Sequence, residues 1–432
     1  MLLDSNKPLS ERGRFDILVA SPEATISFAQ NKVTVQGLPF EIDESANAFD
    51  ALNEIYTYAR RTVNAALPDI PFCGGLVGYL SYDLGRVIES LPEQSSKDDQ
   101  LPDMHFGLYG WAIIIDHEQQ RALLVFSDLV ALEKQRLIID TVQTAQPVVT
   151  NEFHLTRPFQ PDMTAEEYHS ALRKIDDYIH AGDCYQVNCA QRFTAPYQGD
   201  PWSAYLTLRA SAPTHYAAFI DTEHGAILSL SPERFLAADP QQLVITQPIK
   251  GTRPRGLDAA EDAALANALA CSTKDQAENV MIVDLLRNDL SKVCEPHSVD
   301  VPSLFAIESY KNVHHLVSTV TGKLKPTETA ISLLRHCFPG GSITGAPKIR
   351  AMEIIDELET FRRSIYCGSI GFISLCGNMD TSITIRTLLL ENNRAICWAG
   401  GGIVADSNSA DEYQETFDKV NNLLNVLPIS RS

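Results

Sequence analysis

The sequence has no apolar run near the ~20 residues that a membrane-spanning helix needs, and positive charge is scarce, with 35 Lys and Arg against 55 Asp and Glu. The first absence excludes a helical membrane protein. The second leaves a formal net charge of −20 and no basic stripe to neutralise phosphates, which excludes nucleic acid as a partner. No basic segment followed by a long apolar stretch opens the chain at Met1, so a secretory leader is not expected. The nine cysteines are odd in number, scattered and without zinc-site spacing, as expected for reduced thiols in a cytoplasmic protein. There is no internal repeat, and no G-x-G-x-x-G follows a strand pattern, so a dinucleotide site has no support.

What is present suits a globular enzyme: 432 residues, 44% of them hydrophobic, are enough to bury a large core. An acidic protein repels anionic ligands unless its site is locally positive, so locally basic segments carry the most information. Residues 93–102 and 144–161 are polar enough to be linkers, dividing a region 1–150 from a region 151–432. Between them, apolar runs at 111–116 and 122–127 flank a polar turn and predict a hairpin. Thr164 and Glu167 form a capping box ahead of a stripe of Tyr168, Leu172, Ile175 and Ile179, and Gly182 ends that helix. Further helices are predicted at 262–286, 327–335, 346–358 and 410–427. Strands are predicted at 225–230, 243–246, 369–375, 381–390 and 395–399. Hairpins outnumber βαβ units, which predicts an α+β protein of mainly antiparallel sheets covered by helices.

Several residues could carry chemistry. Glu278 shares a helix side with Met281, Ile282 and Leu285. A carboxylate there must be paired, protonated or metal-bound, or else it caps its own helix locally; both readings stay open. In the last helix Glu412, Glu415 and Lys419 lie opposite an apolar stripe, which reads by pattern as a solvated face with an i,i+4 ion pair. Just before it, Gly400, Gly401 and Gly402 follow an apolar strand, either as a sharp turn or as backbone that lets an anion approach. The loop Phe338 to Lys348 is glycine-rich but fails the phosphate-loop pattern, although a helix N-terminus there could hold a carboxylate. Lys250 lies in a basic segment after a strand; exposed it is inert, desolvated it becomes a nucleophile or base. Glu233 follows another strand and is either a general acid or an ion-pair partner of Arg234 or a neighbour.

Taken together, SPERF at Ser231, PIKGTRPR at Pro248, AENVMIVDLLRNDL at Ala277, VHHLVST at Val313, FPGGSITGAPK at Phe338, SITIRT at Ser382, AGGGIVADS at Ala399 and EYQETFDKV at Glu412 resemble the chorismate-binding enzymes. Long motifs in one order over most of the chain are far more specific than any lone glycine pattern. The resemblance implies two antiparallel sheets packed as a sandwich with helices outside, the two regions forming one intertwined unit. It implies magnesium held by Glu278 and Glu415 with Glu412 beside them, and chorismate contacted by His315, Thr344, Tyr366, Arg386, Lys419 and the three glycines. The last helix would then bind metal rather than merely face solvent.

Two positions choose among family members. Water-adding members carry a lysine base where this chain has Gln186, and an amide cannot serve as that base. Members that make anthranilate read P-I-A-G-T where this chain has Lys250. Lysine there resembles the members that make 4-amino-4-deoxychorismate for folate, with anthranilate formation the alternative and a non-catalytic tryptophan-binding relative a third reading. The implied mechanism has the Lys250 amine add at C2 while Glu233 protonates the departing C4 hydroxyl; ammonia then adds at C4. No glutaminase-type cysteine is present, so a separate glutamine amidotransferase subunit is expected to supply ammonia. Finally, Ser5, Arg14 and Phe15 with His215, Tyr216 and Ala217 resemble the family's tryptophan pocket. The chain begins at that motif, roughly a strand or two short of what the resemblance implies, and His215 stands where proline is expected.

Overall fold

The computed structural model describes residues 1–7, 13–61, 69–148 and 150–430. Among these, twelve strands form one antiparallel sheet and eleven form another. Both halves of the chain build both sheets. Leu2–Asp4 pairs with Tyr216–Thr222 in the first sheet, and Gly75–Leu80 pairs with Ser369–Ser374 in the second.

Alternation along the strands explains the layering. In Thr387–Glu391, Leu389 joins the core between the sheets, while Leu388 and Leu390 face the other way, into a second core. The neighbouring strand Arg394–Ile403 repeats this: Ile396 and Trp398 point inward, Ala395, Cys397 and Ala399 outward. That outer layer is closed by Leu208 of the helix Pro201–Ser211 and by Val420, Leu423 and Leu424 of the helix Ser409–Leu424.

The predicted hairpin forms, with Trp111–Asp116 paired to Arg121–Phe126. The helix Ala165–Ala181 carries the expected capping box and ends at Gly182 with φ 82°. Other expectations need correction. The predicted helix at 262–286 is two helices, Ala259–Ala270 and Thr273–Val293, broken where Ser272 caps the second. The run 381–390 is not one strand; its halves belong to different sheets. Residues 93–102 are strapped down: Asp98 bridges Arg192 and Arg394, and Leu101 is buried. The other candidate linker, 144–161, includes residue 149, which lies outside the described residues.

Candidate active site

Two crossings from sheet to sheet lie side by side. Pro232 and Glu233 link Gly225–Ser231 in the first sheet to Arg234–Ala238 in the second. Thr384, Ile385 and Arg386 link Met379–Ile383 in the second back to Thr387–Glu391 in the first. Ser231 Oγ donates to the Ile383 carbonyl at 2.5 Å, and the Ile383 N–H donates to the Glu233 carbonyl at 3.1 Å. Arg386 makes its turn at φ 52°. A cavity of about 640 Å³ adjoins these crossings. Every residue predicted as catalytic, substrate-binding or metal-ligating lines it except Thr344. Thr344 is fully buried, and its hydroxyl donates to the Gly340 and Gly341 carbonyls.

Lys250 projects from the strand Ile249–Pro254, and its ammonium donates to the Ser342 carbonyl at 3.2 Å. Desolvation lowers its pKa; Glu278, Glu233 and Glu415 oppose that shift, and Lys419 reinforces it. Glu233 is buried, and desolvation raises its pKa against the Ser342 hydroxyl, the Lys250 charge and the Ile249 N–H. Arg234 is not the ion-pair partner of Glu233, because it makes a two-pronged pair with Asp380 at 3.1 and 3.0 Å; the neighbouring charge that acts on Glu233 is that of Lys250. A carboxyl inclined to keep its proton therefore faces an amine inclined to lose one. Ser342 touches both groups; it lies inside a glycine-rich motif, and nothing in the pattern sets it apart from its neighbours.

Among the described residues, the Arg386 guanidinium has no hydrogen-bond or ion-pair partner, yet it is desolvated enough to lower its pKa. Arginine stays charged at neutral pH, so this is an open receptor for an anion. His315 is pushed down to about 4 by burial and then by the Arg386 charge, which leaves it neutral, with Nδ1 2.8 Å from Thr252 Oγ1. Tyr366 stacks on Trp398 with ring centroids 6.3 Å apart and planes within 5°. Trp398 also lines the cavity; its apolar strand context makes it look like ordinary core.

The opposite wall is acidic. Glu412 is 8% exposed, which corrects the solvated-face reading for that residue, while Glu415 pairs with Lys419 at 2.6 Å in the predicted i,i+4 manner. Burial raises the pKa of Glu412, with Glu415 adding like-charge repulsion. Burial likewise raises Glu278, against Lys250 and Lys274 and with Asp275 and Glu412 adding repulsion. The glycines prove to be part of the strand Arg394–Ile403 rather than a turn. A Cβ at Gly401 would stand 3.0 Å from Glu412 Oε2, and one at Gly402 would collide with Gln186 Nε2 at 2.0 Å. Among the described residues, no three His, Cys, Asp or Glu side chains are gathered closely enough to hold a metal ion unaided.

A second cavity of about 430 Å³ includes all six residues predicted for the tryptophan pocket. Arg14 there is held by Asp116 at 3.0 and 2.9 Å, Ser5 Oγ donates to Asp16 at 2.8 Å, and His215 packs against Tyr310. Pro232 and Ile249 line both cavities.

The chain belongs to the chorismate binding enzymes: the family model matches residues 1–425. It is 49% identical to aminodeoxychorismate synthase component 1 of Escherichia coli strain K12, over 99% of this chain and 93% of that one. It is 34% identical to anthranilate synthase component 1 of Lactococcus lactis subsp. lactis, over 99% and 94%. The crystal structure of anthranilate synthase component I from Streptococcus pneumoniae TIGR4 superposes with a TM-score of 0.84 at 32% identity, covering 95% of this chain and 92% of that one. Among the described residues, no helix is long and apolar enough to cross a membrane.

Proposed function

We propose that this chain is an aminodeoxychorismate synthase component 1, converting chorismate and ammonia to 4-amino-4-deoxychorismate. The observation that carries the reading is Lys250, a desolvated amine beside the buried acid Glu233 in the cavity that presents the unpartnered Arg386. Arg386 accepts a chorismate carboxylate, and Tyr366 and the glycine strand shape the ring's surroundings. The neutral Lys250 amine adds at C2 and both ring double bonds shift round the ring toward C4. Glu233 gives its proton to the C4 hydroxyl, which departs as water. Ammonia then adds at C4, the double bonds shift back, the C2–N bond to Lys250 breaks to release its amine, and the surplus proton on the new C4 nitrogen returns to the Glu233 carboxylate. The enolpyruvyl group stays on the ring.

Glu278, Glu412 and Glu415 are hard oxygen donors that repel one another across one wall, a set suited to magnesium completed by substrate oxygen and water. Magnesium, when bound there, would supply positive charge against the substrate's carboxylate. Ammonia comes from a separate glutamine amidotransferase subunit, since none of the nine cysteines has the nucleophile-elbow flanks of a glutaminase.

The expected result with purified chain, magnesium, chorismate and ammonium salt is a product that retains its enolpyruvyl group, with no pyruvate released. Fluorescent anthranilate as the product would overturn the assignment in favour of the other family activity. With glutamine in place of ammonia, turnover is expected only after an amidotransferase is added. We further infer that the second cavity takes tryptophan, its rim supplied by Ser5, Arg14, Phe15, His215, Tyr216 and Ala217. Equilibrium dialysis is expected to show one bound tryptophan per chain, and none in a variant that fills the cavity, Ala217→Trp; no binding to the parent chain would refute the inference.

A further inference from the structure

Two of the nine cysteines are set apart from the rest by their neighbours. Cys73 precedes the strand Gly75–Leu80, and Cys376 lies in the turn after Ser369–Ser374; these strands pair, with Ser374 opposite Gly75. Ser374 Oγ lies 3.5 Å from Cys73 Sγ and 3.1 Å from Cys376 Sγ, so one hydroxyl bridges the two thiols. Asn378 Nδ2 donates to Cys376 Sγ at 3.3 Å. Cys376 is partly exposed, whereas Cys73 is 4% exposed beneath it. Both are reduced.

We propose that Cys73 and Cys376 form a hydroperoxide-reactive dithiol, with Cys376 the attacking thiolate and Cys73 the resolving thiol. The groups around Cys376 suit a thiolate: the Cys73 thiol first, then the Ser374 hydroxyl and the Asn378 N–H and amide, lower its pKa against desolvation. Cys73 is pushed up by donating to that thiolate and by burial. Cys184, Cys189, Cys294, Cys337, Cys367 and Cys397 are all raised by burial and lack such a pairing. Cys376 attacks one oxygen of the peroxide; the O–O bond breaks, and a proton completes the alcohol or water released. The sulfur is left as a sulfenic acid. Cys73 then attacks it: the S–S bond forms, the S–O bond breaks, and the Cys73 proton leaves with the hydroxyl as water. Two thiols and one hydroperoxide thus become a disulfide, an alcohol and water. The resulting staple would tie the 374–379 turn to the segment carrying Pro71, which lines the second cavity.

The test uses the full chain, graded hydrogen peroxide, denaturing alkylation and peptide mass spectrometry. A disulfide-linked pair of peptides carrying Cys73 and Cys376 is expected, forming roughly tenfold faster than Cys271, the exposed cysteine, is oxidised. In Cys73→Ser, Cys376 is expected to accumulate as a sulfenic acid trapped by a cyclic 1,3-diketone. Oxidation of Cys271 before the pair, or a Cys376 that goes to higher acids in the parent chain without cross-linking, would overturn the proposal.

Discussion

Lys250→Ala is expected to lower the amination of chorismate by about a hundredfold or more, the scale of losing a reacting group rather than a contact. Binding should survive, because Arg386, His315 and the glycine strand are untouched; the loss should appear in kcat and far less in the Kd for chorismate. Lys250→Arg should not rescue, because a guanidinium stays protonated and cannot act as the nucleophile. The same pair sets a pH signature. Protonated Lys250 is not a nucleophile, so the rate falls toward acid; deprotonated Glu233 cannot protonate the leaving hydroxyl, so it falls toward alkali. Desolvation lowers the Lys250 pKa and raises that of Glu233, which brings the two titrations closer together and enlarges the doubly competent population. At fixed free ammonia, Glu233→Gln should keep the acid-side rise and lose the alkaline fall. An unchanged bell in Glu233→Gln would remove Glu233 from the chemistry, and near-parental kcat in Lys250→Ala would remove Lys250.

The sequence announced these groups individually but concealed what joins them. Capping boxes and amphipathic stripes are local, so the helix Ala165–Ala181 could be read directly, and the last helix nearly so. The crossings could not. Apolar alternation continues through 381–390 although the chain changes sheets there, because residues on both sides are buried against one shared core. That change of sheet is what puts Arg386 opposite Glu233's crossing. In the same way, three consecutive glycines signal a turn by propensity, but here they stay in a strand because the neighbours need the space a Cβ would take: Gln186 at Gly402 and Glu412 at Gly401. The functional roles came from the family resemblance. The physical reasons, desolvation above all, came from the fold.

The other large effect lies beneath the site. Arg363→Met is expected to cost about 3–5 kcal/mol of stability, the penalty for leaving a buried charge unpaired. Arg363 is 1% exposed. It makes a two-pronged pair with Glu359 at 2.9 and 2.7 Å, and donates to the carbonyls of Ile343 at 2.9 Å and Asn188 at 2.8 Å. Glu359 in turn accepts from the Ala190 N–H at 2.9 Å. Removing the guanidinium strands a carboxylate that is 7% exposed. Removing both charges, as Arg363→Met with Glu359→Leu, should recover most of that loss, since an apolar pair of similar volume is often tolerated. Turnover should not recover with it. Asn188 and Ile343 line the same cavity as Lys250, and Arg363 lies against Tyr366 at 5.8 Å, so the double variant loses the brace that fixes that wall. Misplacement of the order of 1 Å can cost about a hundredfold in rate. Urea unfolding of the single and double variants, with kcat on the folded double variant, separates the two roles. An unfolding midpoint for Arg363→Met equal to the parent's would mean that Glu359 finds other partners, and full turnover in the double variant would mean that the wall holds its shape without the pair.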